Sequence, residues 1–199
     1  MKTFLHVGCG HETKSGLKGF DNENWNEIRF DIDKKVNPDI EGTLLDMTQV
    51  PTWSVDAVYS SHNIEHVYPH EVPIVLKEFL RVLNDDGMVV ITCPDLQSIC
   101  EAILQDKLYV PLYETPAGPI APIDILYGFR EALQEGNEYM AHNCGFSYSN
   151  LLNFFIDAGF KKWIGGRRQE DYALYLVACK GEKSDEELRR LSLEFLPGE

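Results

Sequence analysis

The stretch FLHVGCGHET, residues 4–13, decides how the rest of the chain is read. Phe4 to Val7 forms a short apolar run suited to a strand, and the chain then turns through Gly8-Cys9-Gly10. Glycine turns at positive φ without steric cost and lets backbone come close to a ligand. A Gly-x-Gly directly after a strand is therefore a place where open α/β sheets receive ligands. Any tight turn can use two glycines, so the meaning of the pair rests on the elements downstream of it.

Downstream, strands and helices alternate. Glu27–Asp33 (EIRFDID) reads as a second strand, with Ile28, Phe30 and Ile32 alternating, and GTLLDM, residues 42–47, as a short third one. VDAVYSSH (55–62) is a fourth, and GMVVITCPD (87–95) a fifth whose continuous apolar run suits burial on both faces of a parallel sheet. Between them, Val75, Leu76, Phe79 and Leu83 recur at helical spacing behind Pro73, with Gly87 closing the unit. Leu96, Ile99, Cys100, Ile103 and Leu104 make a second helical face, with Asp95 as its N-cap. Residues 109–145 break the rhythm with Pro111, Pro116, Pro119 and Pro122, and predict an insertion containing a helix from Pro122 to Glu135. A capped helix from Ser147 to Gly159 and two strands, about 160–168 and 172–180, complete the pattern. There is no repeat and no low-complexity segment. The expectation is a Rossmann-like, doubly wound α/β fold. It has a mostly parallel seven-stranded sheet, helices on both faces and an insertion after strand five. Residues 1–182 form one domain with a lid at 109–145, and 183–199 are a terminal helix or frayed tail. In such sheets ligands sit at the C-terminal strand ends, so Gly8, Gly10, Asp31, Asp33, Asp46 and the run Ser60 to His66 should share one rim.

Charge narrows the partners. The chain has 199 residues, and its 18 Lys+Arg against 32 Asp+Glu give a formal charge of -14. That excess repels phosphate backbones and anionic lipid, so neither nucleic acid nor membrane is an expected partner. The single basic cluster, Lys161, Lys162, Arg167 and Arg168, reads as a solvated edge. No apolar run approaches the roughly 18 residues that span a bilayer, and the opening residues read as strand rather than leader. The five cysteines are an odd number without regular spacing, as expected for reduced, buried thiols in the cytoplasm.

The rim describes a nucleoside. Two glycines bring backbone N–H groups near its polar end, an acid about 20 positions later can accept from ribose hydroxyls, and Asp46 can accept from an exocyclic amine. LHVGCG, RFDID, LLDMTQVP, VDAVYSSHNIEHV, EFLRVLNDDGMVVITCPD and LLNFFIDAGF stand in an order that resembles class I S-adenosylmethionine-dependent methyltransferases, most nearly their type 11, bacterial small-molecule branch, over residues 4–180. The resemblance implies S-adenosylmethionine as cofactor and a methyl transfer to a small-molecule acceptor. It places Val7, Gly8, Cys9 and Gly10 along the methionine part. Asp31 then lies at the ribose with Ile32 beside it and Asp33 as rival, Asp46 and the Met47 backbone at adenine, and Ser60, Ser61 and His62 under the cofactor. Two departures stand out. The polar, glycine-broken HETKSGLKGFDNENW (11–25) predicts a short or missing first helix, and His6 replaces an acid near the end of strand one.

The transfer is an in-line displacement at a sulfonium methyl, helped mainly by positioning. A hydroxyl nucleophile would need a base, for which His62 and His142 have the right pKa range, and a carboxylate would need none. His66, Tyr113, Arg130 and Tyr139 are candidate acceptor contacts; Tyr109 and Tyr127 join the tyrosines that would either wall a pocket or form the core of a lid. HNIEH (62–66) also spells H-x-x-E-H, a zinc-peptidase pattern, but it follows a strand and meets Pro69 within a turn. Two readings of it remain. Glu65 and His66 are buried and hydrogen-bonded with no metal held, or His62, Glu65, His66 and His142 meet in a metal site that assists transfer. Two further classes compete with the enzyme. A dinucleotide oxidoreductase lacks its third glycine, since position 13 is Thr13. A non-catalytic nucleoside-binding module of the same fold differs from the enzyme only in turnover.

Overall fold

The first strand and its neighbours behave as the alternation predicts. In the computed structural model, which describes residues 1–115 and 117–198, β1 spans Lys2–Val7, β2 Trp25–Asp31, β3 Ile40–Glu41, β4 Val55–Ser61 and β5 Leu83–Pro94. Pro116, one of the insertion prolines, and Glu199 lie outside the described residues. β6 (Tyr113–Thr115) and β7 (Gly118–Ile120) form a separate hairpin, and β8 (Lys162–Arg168) and β9 (Ala173–Cys179) join the main sheet. That sheet has seven strands in the order β3-β2-β1-β4-β5-β9-β8, parallel except for β9, which runs antiparallel to both neighbours. The order reverses between β1 and β4, which makes that gap the switch point where open sheets bind ligands.

Two apolar layers cover the sheet. Helices α1 (Val72–Val82) and, beyond α2 (Leu96–Leu104), α3 (Pro122–Tyr127) and α4 (Arg130–Gln134), α5 (Tyr148–Ala158) are assigned along the chain. On one face Leu5, Val7, Val58, Val89, Ile91 and Leu176 are covered by Val75, Leu76 and Phe79 of α1 and Leu151 and Phe155 of α5. On the other, Phe4, Ala57, Met88, Val90 and Val177 meet Phe20, Trp25 and α6 (Asp185–Phe195). α6 falls in the segment read as a terminal helix or frayed tail. Ser184 and Glu187 form a capping box, and Phe195 sits 4.9 Å from the ring of Phe20, closing an aromatic cluster with Phe4 and Trp25. The short or missing first helix is confirmed: only a 3-10 turn, Lys14–Gly16, stands between β1 and β2.

Several expectations are corrected. GTLLDM is not a strand. β3 ends at Glu41, and Thr43–Asp46 is a turn closed by an Asp46 N–H to Thr43 carbonyl bond of 3.1 Å. Leu44 and Met47 are apolar because the turn buries them, not because a strand does. Strand five begins at Leu83 and not at Gly87: Val55 pairs with Leu83 and Ala57 with Met88, so residues 84–87 bulge from the strand. The helix expected over 122–135 is broken at Gly128, where φ is +103° and a Cβ would collide with the Met140 carbonyl. On α2, Cys100 and Leu104 face solvent, and the buried positions are Ser98, Ile99 and Ala102. Arg167 is no solvated edge: its Nε donates to Oδ2 of the fully buried Asp95 at 2.6 Å. That carboxylate caps α2 through the Gln97 N–H at 3.1 Å.

Candidate active site

The glycine turn is held to the end of β2. The N–H groups of Gly8 and Cys9 donate to the Phe30 carbonyl (2.9 and 3.3 Å), and Gly10 N–H donates to Asp31 Oδ2 at 2.8 Å. The other Asp31 oxygen accepts from Asp33 N–H at 2.8 Å. Asp31 is thus buried against the turn, while the Asp33 carboxylate points away to cap Lys35 N–H at 2.9 Å. Of the two rival acids, Asp31 is the one brought to the glycines. Ile32, between them, leaves 45% of its surface exposed, an open apolar face beside the acid. Burial pushes the Cys9 thiol up to about 11, so the turn carries an inert thiol and not a nucleophile. Sequence reasoning missed Arg29, whose guanidinium donates to the carbonyls of Gly10, Glu12, Val36 and Asn37 and ties the loops after β1 and β2 together. His6 is buried and pairs with Glu27 across β1 and β2 (2.8 Å), well below the rim.

At the switch point the β4 loop leans over the turn. A Cβ on Gly8 would collide with the Asn63 side chain, and Gly8 has φ +63°. This position therefore requires glycine on both counts. Asn63 carries no signal in the sequence; only the tertiary approach of two loops reveals it. Its Nδ2 is buried and without a partner, as are Ser60 Oγ and Thr92 Oγ1. Such orphaned donors are rare in folded proteins and call for a partner from outside the chain. Ser60 is buried and Ser61 half-buried at the end of β4. The buried, unpartnered Ser60 hydroxyl and Asn63 amide mark this crevice, and the Asn63 side chain takes the space that a Cβ on Gly8 would need.

The adenine end differs from expectation. Asp46 is exposed, and its Oδ1 accepts from Thr48 N–H at 3.1 Å, which together with the Thr48 side chain holds its carboxyl below the ordinary range. Met47 is buried, its N–H donates to Glu78 Oε2 (3.0 Å) and its carbonyl accepts from Arg81 (2.8 Å). Its backbone is therefore engaged by α1, and Asp46 is the polar group left facing outward.

Beyond Asn63 the chain enters HNIEH, and here the insertion arrives. Ile64–His66 is a single 3-10 turn, and His62 has φ +46°, so the pattern does not lie on the helix a zinc peptidase needs. Asn143 and Cys144 N–H groups donate to the Glu65 carbonyl (2.8 and 3.1 Å), and Asn143 Nδ2 donates to the His66 carbonyl at 2.7 Å. His66 Nδ1 lies 3.0 Å from the Ala141 carbonyl and His142 Nδ1 2.7 Å from the Ile125 carbonyl. The Glu65 carboxylate is 1% exposed, yet neither oxygen has a hydrogen-bond partner. This corrects the reading in which Glu65 is a hydrogen-bonded shaping residue. Its nearest cation is His62 Nδ1 at 3.6 Å, too long for a hydrogen bond. Burial opposes charge on His62, but the Glu65 carboxylate outweighs it and raises the His62 pKa; burial lowers that of His142.

The other insertion candidates separate clearly. Arg130 is committed to the buried Asp124 through Nε (2.5 Å) and a second guanidinium nitrogen (3.0 Å), and lies over the Tyr109 ring. Tyr109, Tyr127 and Tyr139 are 65, 64 and 54% exposed, so they line no enclosed wall. Tyr113 alone turns inward and stacks on Tyr172 with ring centroids 6.2 Å apart. On the opposite face, the absent first helix leaves a cavity of about 180 Å³ lined by Lys18, Tyr59, Thr92, Tyr175 and Phe195. Ligand sites run to about 300–1,000 Å³, so this is a packing gap rather than an acceptor pocket. Among the described residues no helix is long and apolar enough to cross a membrane.

Comparison with known proteins gives one domain match and solved structures of the same fold. Residues 5–91 match the family described as "Methyltransferase domain". No curated protein matches the chain. Among solved structures, an S-adenosylmethionine-dependent methyltransferase from Methanosarcina mazei superposes with a TM-score of 0.58 at 13% identity, covering 92% of this chain and 93% of the other. One from Archaeoglobus fulgidus gives 0.58 at 14%, covering 90% and 86%. A possible exported protein from Bordetella parapertussis gives 0.58 at 12%, covering 91% of this chain, which spans only 62% of that one. Identities this low speak for the fold alone, and the matched domain covers less than half of the chain. The chain therefore shares the fold of these methyltransferases and is similar, over residues 5–91, to methyltransferase domains.

Proposed function

We propose that the chain methylates a small-molecule acceptor in the cytoplasm, holding the cofactor in the crevice between β1 and β4. The observation that carries this is the pair of buried, unpartnered polar atoms at the switch point, Ser60 Oγ and Asn63 Nδ2, beside the glycine turn. The bound cofactor supplies an electrophilic methyl on a sulfonium. Gly8 and Gly10 leave room for its methionine part, Asp31 accepts from the ribose, Ile32 offers an apolar face, and Asp46 accepts from the adenine amine. Asn63 adds an amide donor to that set. Ser61 and His62 stand under the cofactor, and His62, His66, His142 and Tyr113 face the acceptor side. Residues 109–145 act as a lid that excludes water from the sulfonium. The formal charge of -14 favours a small acceptor over a polyanion. Cysteines that form no disulfide among the described residues fit a reducing compartment. Calorimetry tests the reading: S-adenosylhomocysteine should bind in the micromolar range, about -8 kcal/mol, with no response to NAD. Release of S-adenosylhomocysteine in the presence of pooled small-molecule acceptors then separates an enzyme from a binding module. Tight NAD binding with no response to the nucleoside product would sink the proposal.

A further inference from the structure

A fully buried carboxylate with no hydrogen bond is among the most costly arrangements a fold can hold. Glu65 is in that state, and the groups gathered round it are imidazoles. One ligand atom each from Glu65, His66 and His142 lies within 4.8 Å of the others. The His66 and His142 rings are 4.8 Å apart between centroids at 71°. His142 Nδ1 donates to the Ile125 carbonyl, which leaves Nε2 with a free lone pair. His66 lies between the carbonyls of Ala141 (Nδ1, 3.0 Å) and His62 (Nε2, 3.2 Å). A neutral ring donates to only one of them; its other nitrogen keeps a lone pair that faces a carbonyl oxygen, and the ring must turn for that lone pair to reach an ion. A histidine nitrogen that donates to a backbone carbonyl, as His142 Nδ1 does, is the outer-shell pattern of metal-ligating histidines.

We propose that Glu65, His66 and His142 bind one divalent transition-metal ion of the zinc class. Two imidazole nitrogens and one carboxylate oxygen are a recurrent zinc donor set. Zinc bonds of about 2.0–2.2 Å put tetrahedral ligand atoms about 3.4 Å apart, so closing the cluster requires the widest pair to contract by at most about 1.4 Å. The ion neutralises the Glu65 charge, which no hydrogen bond now offsets. It also joins His142, from the insertion, to the strand-four loop, adding a clamp to the backbone bonds of Asn143 and Cys144. Three protein ligands leave a fourth position for water or for an oxygen or nitrogen atom of the acceptor. The acceptor class this favours is one with a heteroatom able to coordinate zinc.

The test uses the whole chain, without a histidine tag, stripped with chelator and then dialysed against zinc. About one zinc per chain is expected, and cobalt(II) in its place should show the visible bands of a tetrahedral ion. At a hundredfold excess over Kd, zinc should raise the melting midpoint by about 5 °C or more. His142→Ala should weaken zinc binding by at least about 100-fold. Should that variant fold poorly, Glu65→Gln serves: stripped of metal it should melt at or above the stripped wild type, because a buried charge is gone, and zinc should no longer shift it. If the stripped wild type takes up no zinc and melts identically with and without it, or if His142→Ala binds zinc as well as wild type, the site is overturned. S-adenosylhomocysteine calorimetry on the same stripped sample reports on the crevice alone. Absent zinc with intact nucleoside binding would remove the metal and leave the methyltransferase reading standing.

Discussion

At the glycine rim, polar groups are answered by neighbours. Gly10 N–H has Asp31, the Phe30 carbonyl has Gly8 and Cys9, and Arg29 closes four carbonyls. At the corner where the insertion meets the strand-four loop, a buried carboxylate has no hydrogen-bond partner, and the histidines of the cluster come from residues more than 70 positions apart. The rim is made of loops that succeed paired strands, so sheet register aligns them. The corner exists only because the insertion folds back onto the sheet. The first is held by hydrogen bonds between its own loops; the second keeps a buried carboxylate without one.

The largest effect that would sharpen this contrast is on turnover. Replacing residues 109–140 by a short Gly/Ser linker should abolish methyl transfer while leaving S-adenosylhomocysteine affinity within about threefold, read by calorimetry on a variant with an intact melting transition. Full turnover in that variant would make the insertion a structural appendage.

Next come the two glycines. Gly8→Ala places a Cβ on Asn63 in a left-handed turn. It should cost about 2–4 kcal/mol of stability and lower nucleoside affinity sharply. Gly10 has φ +51° but open space around it, so Gly10→Ala should cost only the turn strain, about 1–2 kcal/mol. Equal melting shifts for the two would mean that Asn63 does not seat on Gly8.

Asp31→Ala should remove about 1.5–3 kcal/mol of nucleoside affinity per hydrogen bond lost. It should also destabilise the fold by about 1–2 kcal/mol, because Gly10 and Asp33 lose their acceptor. Asp33→Ala should cost about 1 kcal/mol as a lost cap and leave affinity alone. A reversed order in the titrations would give the ribose to Asp33.

A smaller effect depends on pH. The Arg81 hydrogen bond holds the Glu78 carboxyl below its ordinary value. This contribution is full above the unfolded value, about 4.3, and is lost as pH falls through the depressed folded value. The stability gap between wild type and Glu78→Gln, about 1 kcal/mol, should therefore be present at pH 7 and close in more acid solution. A gap that persists unchanged to about pH 2, below the usual carboxylate range, would exclude an ionic origin. Least of all, Tyr139→Ala at an exposed site should move stability by under about 0.5 kcal/mol, and a large loss of turnover there would restore Tyr139 to the acceptor site.

The alternation of strands and helices, the glycine turn, the acids Asp31 and Asp33 as rivals, and the short or missing first helix are legible in the chain. Each comes from short-range pattern: period-two burial, glycine after a strand, and a polar run where an apolar helical face should be. The turn at residues 43–46 passes for a strand because Leu44 and Met47 are buried in either conformation, and burial is what apolar residues report. The helix break at Gly128 is invisible in the sequence because its cause, the Met140 carbonyl, lies 12 residues away. Asn63 carries no local signal at all; its role depends on β1 and β4 being neighbours. Glu65, His66 and His142 stand out as candidates in the sequence, but whether they hydrogen-bond or converge on an ion turns on distances that no spacing encodes. Local periodicity determined the scaffold and the glycine rim, since backbone geometry repeats along the chain. Tertiary packing alone decided which polar groups stay unpartnered, since that depends on what the rest of the fold brings within about 3 Å.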